Sequence, residues 1–249
     1  MKKFQSLTLV ALVLTLPSHA AVVYSDNFDD KSNSGWTYLD RSGGTAIVTS
    51  TGGSGTSPSF SEQNGRLEQT VTNYTFPTGL LPNGEGGPQL GSMALSGSGV
   101  IGGSYTISLG MDSLEEGNGF QDQVVVFGYV DEDNFFYIET IPDRLVLFGV
   151  TAGVRTQLGI NSSVTFSHAP TDVDVFVDTA AGNVSVNYGG AGLTSLATGQ
   201  PITAGLNGVG SNNDAFAIDN FSIDQQQIPE PSSLALMAMA GITLVRRKR

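Results

Sequence analysis

The residues best suited to acid–base chemistry in this chain are 23 Asp and Glu and 2 His, and it has no Cys. That absence removes a disulfide framework, Cys-ligated zinc and a thiol nucleophile. His19 lies in an N-terminal apolar stretch, which leaves His168 as the one histidine of the body. Glycoside hydrolysis needs two carboxylates facing one sugar about 5 to 9 Å apart. On a strand, period-two spacing would project them together, and no such run of acids occurs. Glu115-Glu116 and Asp131-Glu132-Asp133 are acid clusters in turn-like surroundings, read as solvated loop charge. Glu139 closes a strand-like run and lacks an acid two residues away on its own face. Ser167-His168-Ala169-Pro170 reads as a loop, and Gly52-Gly53-Ser54-Gly55 and Gly97-Ser98-Gly99 lead into no helix. Neither a Ser-His-Asp triad nor a nucleophile elbow is supported.

Binding chemistry has two candidates. Ca²⁺ takes six to eight oxygens from carboxylates and carbonyls. Asp26, Asp29 and Asp30 stand at the start of the body, and Asp219 stands on its final strand-like run. If those ends pair, the four carboxylates meet, so a structural calcium is the one cofactor expected. The second candidate is a sugar platform. In Phe135-Phe136-Tyr137 one strand face must be core. The other exposes Phe136, or else Phe135 and Tyr137, beside Tyr129 and Arg144. Trp36, the only Trp, is expected in the core.

Charge narrows the partners. Of 11 basic residues, Lys2, Lys3, Arg246, Arg247, Lys248 and Arg249 sit at the ends, so residues 21–227 hold 5 basic and 22 acidic side chains. A body that acidic repels phosphate backbones, which excludes nucleic acid as a partner.

The ends read as addresses. Lys2-Lys3, the apolar run of residues 7–16 and the small residues Ser18 and Ala20 occur in the order of a secretory signal, with cleavage after Ala20. At the other end, Pro229-Glu230-Pro231 precedes an apolar run over residues 234–245, and Arg246, Arg247, Lys248 and Arg249 close the chain. Twelve residues rise about 18 Å as a helix, short of the ~30 Å hydrocarbon core. The basic tail would stay on the cytoplasmic side. Such a segment suits transient inner-membrane anchoring better than a permanent span.

Between the ends the pattern is β. Tyr105, Ile107, Leu109 and Met111 alternate with small polar residues, as do Val173, Val175 and Val177, and Val184, Val186 and Tyr188. Ala215, Ala217, Asp219, Phe221 and Ile223 alternate with Phe216, Ile218 and Asn220. Residues 124–129 form a continuous apolar run, as in a strand covered on both faces. Residues 131–134 and 142–143 carry turn chemistry, so 124–129 and 135–140 form a hairpin that continues into 144–150. Asn64-Gly65 opens a strand over 66–74. Residues 43–64 and 76–91, rich in Gly, Ser, Thr or Pro, read as surface loops. The expected organisation is a signal helix in 1–20, an all-β two-layer antiparallel sandwich in 21–224, and a linker, short apolar helix and basic tail in 225–249.

The C-terminal arrangement resembles the PEP-CTERM sorting signal of Gram-negative bacteria, in which a Pro-Glu-Pro segment, an apolar helix and a basic terminus occur together. The resemblance implies recognition by exosortase, a membrane protease, and then release to the cell surface or extracellular matrix of exopolysaccharide- or biofilm-forming organisms. The body, with Tyr24-Ser25-Asp26-Asn27-Phe28-Asp29-Asp30, Gly35-Trp36 and Asp214-Ala215-Phe216-Ala217-Ile218-Asp219-Asn220-Phe221, resembles the concanavalin A-like, laminin-G-type jelly roll. That fold implies paired first and last strands, a core role for Phe28, Trp36, Phe221 and Ile223, and calcium near Asp26. The Glu-x-Asp-x-x-Glu run of laminarinase-type jelly rolls is missing. The expected function is a non-catalytic envelope or matrix protein associated with exopolysaccharide. A carbohydrate-binding module with a defined ligand, and a polysaccharide hydrolase or lyase, stand as alternatives.

Overall fold

The computed structural model describes residues 20–32, 35–40, 48–51, 60–70, 92–114, 123–141, 144–164, 170–190, 193–211 and 215–226. The strands among them are β1 (Ala20–Asp26), β2 (Trp36–Asp40), β3 (Val48–Thr51), β4 (Phe60–Gln63), β5 (Arg66–Gln69), β6 (Ser92–Ser96), β7 (Ser104–Ser113) and β8 (Gln123–Asp131). They continue as β9 (Asn134–Ile141), β10 (Arg144–Thr151), β11 (Val154–Asn161), β12 (Thr171–Asp178), β13 (Asn183–Tyr188), β14 (Leu193–Ala197), β15 (Leu206–Ser211) and β16 (Phe216–Gln226). No helix occurs among the described residues. The expected signal and tail helices, with Ser18, His19, Glu115, Glu116, His168, the loop 76–91 and the segment 227–249, lie outside them.

Two eight-stranded sheets form. Sheet A runs β14-β13-β12-β7-β16-β5-β4, with β1 also paired to β16; sheet B runs β11-β10-β9-β8-β15-β6-β2-β3. The expected turns organise sheet B. Asp131 Oδ1 accepts from the Asp133 backbone N–H at 2.9 Å and from Asn134 Nδ2 at 2.7 Å, fixing the β8–β9 hairpin. Asp131, Glu132 and Asp133 are exposed there.

Alternation sends one set of side chains inward from each sheet. Tyr105, Ile107, Leu109 and Met111 of β7 meet Val125, Phe127, Ile138 and Leu147 of sheet B in the inner cluster. A second apolar cluster lies on the other face of sheet B, where Val124, Val126, Tyr129, Phe135, Tyr137, Val146 and Phe148 gather. The strand β8 is buried on both faces from Gln123 to Tyr129, as its unbroken apolar run implies.

Two expectations need correction. The stretch 43–64 is not all loop, because β3 and β4 lie within it. The Asn64-Gly65 turn, with both residues at positive φ (56° and 72°), folds β4 back onto β5. The alternation read through β16 also fails. Its pairing with β7 slips between Asp219 and Ser222, and Asn220 takes a φ of 50°. This bulge inserts residues without advancing the pairing evenly. Phe216 and Ile218 before it, and Phe221 and Ile223 after it, therefore all face the core.

Close approach of β15 to its neighbours depends on Gly208, which stands opposite Leu95 of β6 and Val126 of β8. A Cβ there would overlap the Ala94 backbone carbonyl, and backbone cannot rotate away as a side chain can. Gly208→Ala should lower stability by about 2 kcal/mol or more, seen as an earlier urea midpoint with an unchanged slope.

Candidate functional site

Two groups of residues could carry function, and β1 builds the first. Asp26 ends that strand and is held twice: its carboxylate accepts from the Phe28 backbone N–H at 2.8 Å and from the Trp36 indole N–H at 2.8 Å. Phe28 and Lys31 have φ of 57° and 53°, which turns the chain tightly. Asn27 Nδ2 donates to Asp29 at 2.7 Å, and Asp30 accepts from the Ser32 backbone N–H at 2.8 Å. Asp26, Asp29 and Asp30 line an open concavity of about 720 Å³ with Tyr24, Asn220 and Ser222. Beneath it Trp36 packs edge-on to Phe221 at 5.0 Å and against Phe28 at 5.7 Å. First and last strands thus meet around one aromatic cluster, and Trp36 is core.

Asp219 does not join its three expected partners. It stands opposite Gly110 of β7, on the outer face of sheet A, because the bulge rotates the strand at Asn220. Among the described residues no three Asp, Glu or His side chains converge as a metal cage. Asp26, Asp29 and Asp30 are engaged in local turn contacts, and Asp219 lies on another face.

Glu62 belongs to this corner, and no sequence motif marks it. It stands opposite Leu67, a fully buried member of the inner cluster, so period-two alternation points it inward with Phe60. Both its carboxylate oxygens are buried and lack a hydrogen-bond partner at ordinary distance. The Ser32 backbone amide gives only weak relief. Burial first, then the nearby Asp26 and Asp30 carboxylates, push the Glu62 carboxyl up to about 7. Burial, with Glu62 and Asp26 adding to it, also raises the Tyr38 hydroxyl above the ordinary tyrosine range. The Tyr38 hydroxyl is itself buried without a partner. The one signal for Glu62 in the sequence is the Asn64-Gly65 turn, since a tight turn demands a strand on each side.

The second group is the outer face of sheet B. Tyr129 and Tyr137, two of the four residues expected to form a sugar platform, lie there with Phe135 and Phe148. Arg144 shares this face, being two and four residues from Val146 and Phe148 on β10. Phe136 does not: it points into the sandwich and stacks on Phe127 at 6.1 Å. Tyr137 is 1% exposed and Tyr129 9%, so the platform is covered rather than presented. Arg155 of β11 completes it. Its guanidinium lies 3.8 Å from the Phe148 ring centroid and 3.0 Å from Glu139 Oε2. The tight β10–β11 hairpin at Ala152-Gly153 sets this register, with Val150 opposite Arg155. Glu139 itself faces Val124 on β8 and Val146 on β10, so no carboxylate stands across from it on either neighbouring strand.

The folded state holds the Glu62 proton more tightly than a free carboxyl with its pKa of 4.5 does. Folding therefore loses stability as pH rises from about 4.5 to about 7, and the loss is complete above that. Glu62→Gln should melt above the parent at about pH 8, with the difference shrinking toward pH 4.5. Equal slopes of melting temperature against pH would show that Glu62 does not titrate in this way.

Residues 227–249 match the family model described as the PEP-CTERM protein-sorting motif. No curated protein matches the chain in sequence. Among solved structures it is similar to the GH43 protein BlXynB of Bacillus licheniformis, with 13% identity over 80% of this chain and 38% of that one and a TM-score of 0.52. It is also similar to LamAcat of Zobellia galactanivorans, with 11% identity over 82% and 97% and a TM-score of 0.52. A third is the CBM2 module of an evolved Dit from Lactobacillus casei BL23 phage J-1, with 10% identity over 86% and 99% and a TM-score of 0.50. These likenesses concern the fold. The chain thus joins a jelly-roll β-sandwich to a C-terminal PEP-CTERM sorting motif, which implies export and transient membrane anchoring.

Proposed function

We propose that the protein is a non-catalytic component of the cell envelope or extracellular matrix, delivered by exosortase-type processing and associated with exopolysaccharide. The observation that carries this reading is the sorting motif over residues 227–249. Its parts suit a temporary handle. A residue before proline is driven from helical angles, so the sequence at Pro229 and Pro231 disfavours helix in the recognition segment ahead of the apolar run. That run is too short to span the hydrocarbon core comfortably, and Arg246, Arg247, Lys248 and Arg249 halt translocation.

The surroundings of Glu139 support a non-catalytic role. A glycosidase needs a second carboxylate facing the first across the sugar. Here valines flank Glu139 in register and Arg155 engages it in an ion pair.

A second reading is a carbohydrate-binding module with a defined ligand. Tyr129, Tyr137 and Arg144 share one face with Phe148 and Arg155, which combines aromatic surface with cationic donors. One of the similar structures is described as a CBM2 module. Binding there requires Tyr137 to be uncovered, and glycan arrays with Tyr129→Ala and Arg144→Ala variants as controls separate this reading from the first.

Replacing Pro229, Glu230 and Pro231 together by alanine should leave an uncut, membrane-retained precursor in the native host, whereas the parent loses both its N-terminal segment through Ala20 and its tail. Fractionation followed by terminal peptide mass measurement reads the outcome. Normal trimming and release of the triple variant would overturn the sorting role.

A further inference from the structure

Alternation along β12 buries Val173, Val175 and Val177 and turns Asp172, Asp174, Phe176 and Asp178 to the outside of sheet A. Phe176 is 40% exposed there. β12 is not an edge strand: β13 and β14 lie on one side of it, β7 and β16 on the other. The ring therefore stands in the middle of an outer sheet face. Its partners in register are Thr106 of β7 and Ser185 of β13, both too short to cover it. The other outward residues of β7, β12 and β13 are Ser, Thr, Gly, Asp and Asn.

A single exposed apolar residue carries no meaning by itself; the polar groups around this one give it a context. Asp174, two residues from Phe176, accepts from Ser108 Oγ at 2.7 Å and from Asn187 Nδ2 at 3.3 Å. Asn187 Oδ1 is buried with no hydrogen-bond partner, an unfavourable state for an amide oxygen unless a donor is supplied. On the other side of the ring Asp178 accepts from the Ala181 backbone N–H at 3.1 Å. The face thus joins an apolar ring to acceptors whose positions are already fixed, and groups fixed in advance bind at lower cost.

Charge selects what such a face can take. None of β7, β12, β13, β14 and β16 contains Lys or Arg, so an anionic polymer is repelled. Asp174 and Asp178 are engaged by neighbouring donors, which makes them oriented acceptors for hydroxyls more than free counter-ions for amines. We propose that the outer face of sheet A around Phe176 binds an internal stretch of a neutral polysaccharide, with the ring against the apolar face of one sugar and the acceptors of β12 and β13 receiving hydroxyl protons beside it. This rests on the exopolysaccharide association proposed above, and gives it a glycan class and a surface separate from the covered face of sheet B.

The test uses the full chain in a mild detergent, by affinity electrophoresis through gels carrying dextran, mixed-linkage β-glucan, galactomannan, alginate or exopolysaccharide extracted from the native host. At least one neutral polymer should retard the chain, and still do so at about 0.5 M salt, where surface charge is screened. Alginate should not. Phe176→Ala should weaken retardation at least about tenfold with an unchanged melting temperature, and Phe176→Trp should keep it. Val130→Ala removes exposed apolar surface elsewhere and should change nothing. Retardation by alginate alone, or retardation that survives Phe176→Ala, overturns the proposal. If the host polymer is still bound in the second case, exopolysaccharide association stands and only this surface falls. A chain that no polymer retards, the host's own included, overturns both.

Discussion

Because β16 changes phase at Asn220, one strand can line the core along its whole length while pairing with three neighbours. Without the bulge, strict alternation would bury Phe216 and Ile218 and expose Phe221 and Ile223, or the reverse. With it, Phe216 reaches Phe60 at 6.2 Å near one end, and Phe221 reaches Trp36 and Tyr24 near the other. Phe221 in turn completes the pocket in which Trp36 turns its indole N–H to Asp26. The register of sheet A, the seating of the only Trp and the shape of the concavity at Asp29 and Asp30 all follow from that one left-handed residue.

Many of the acids that dominate the charge are used locally. Asp26, Asp30, Asp131 and Asp178 each accept a backbone N–H two or three residues on, the Asx pattern that shapes turns. Others reach further: Asp112 pairs with Arg66 at 2.8 Å, and Asp174 accepts from Ser108 at 2.7 Å. Glu139 and Glu62 show two ways in which an inward acid is accommodated. Glu139 is buried and keeps its charge company with Arg155, at the desolvation cost that any buried ion pair carries. Glu62 is inside with no cation beside it among the residues that shift it, and responds by holding its proton to higher pH. Repulsion that is tolerable at the surface thus becomes a titrating element where a strand edge turns inward.

The strands of sheet A from β7 to β13, and the hairpins of sheet B, are legible in the sequence because alternation and turn chemistry agree there. Legibility ends where a single backbone irregularity intervenes. The bulge at Asn220 inverts the faces expected for half of β16, and with it the position of Asp219. In β9, alternation correctly offers two options for the aromatic triplet but cannot choose between them. The choice is made by a neighbouring strand, through the inward packing of Phe136 on Phe127 of β8. β3 and β4 are hidden because Ser, Thr and Gly composition signals loop more strongly than four residues can signal strand. Arg155 is hidden because its role depends on hairpin register, not on its neighbours in sequence.

The sorting motif begins at residue 227, one residue past the end of β16 at Gln226. From Gln226 to the start of the apolar run at Leu234 the chain can extend no more than about 28 Å. The link is covalent and short, so any tension on an anchored tail would enter the body through β16. That strand is flanked by β7 and β5 and is clasped by β1 as well. Such a pull would be shared across the middle of sheet A instead of peeling an outer strand.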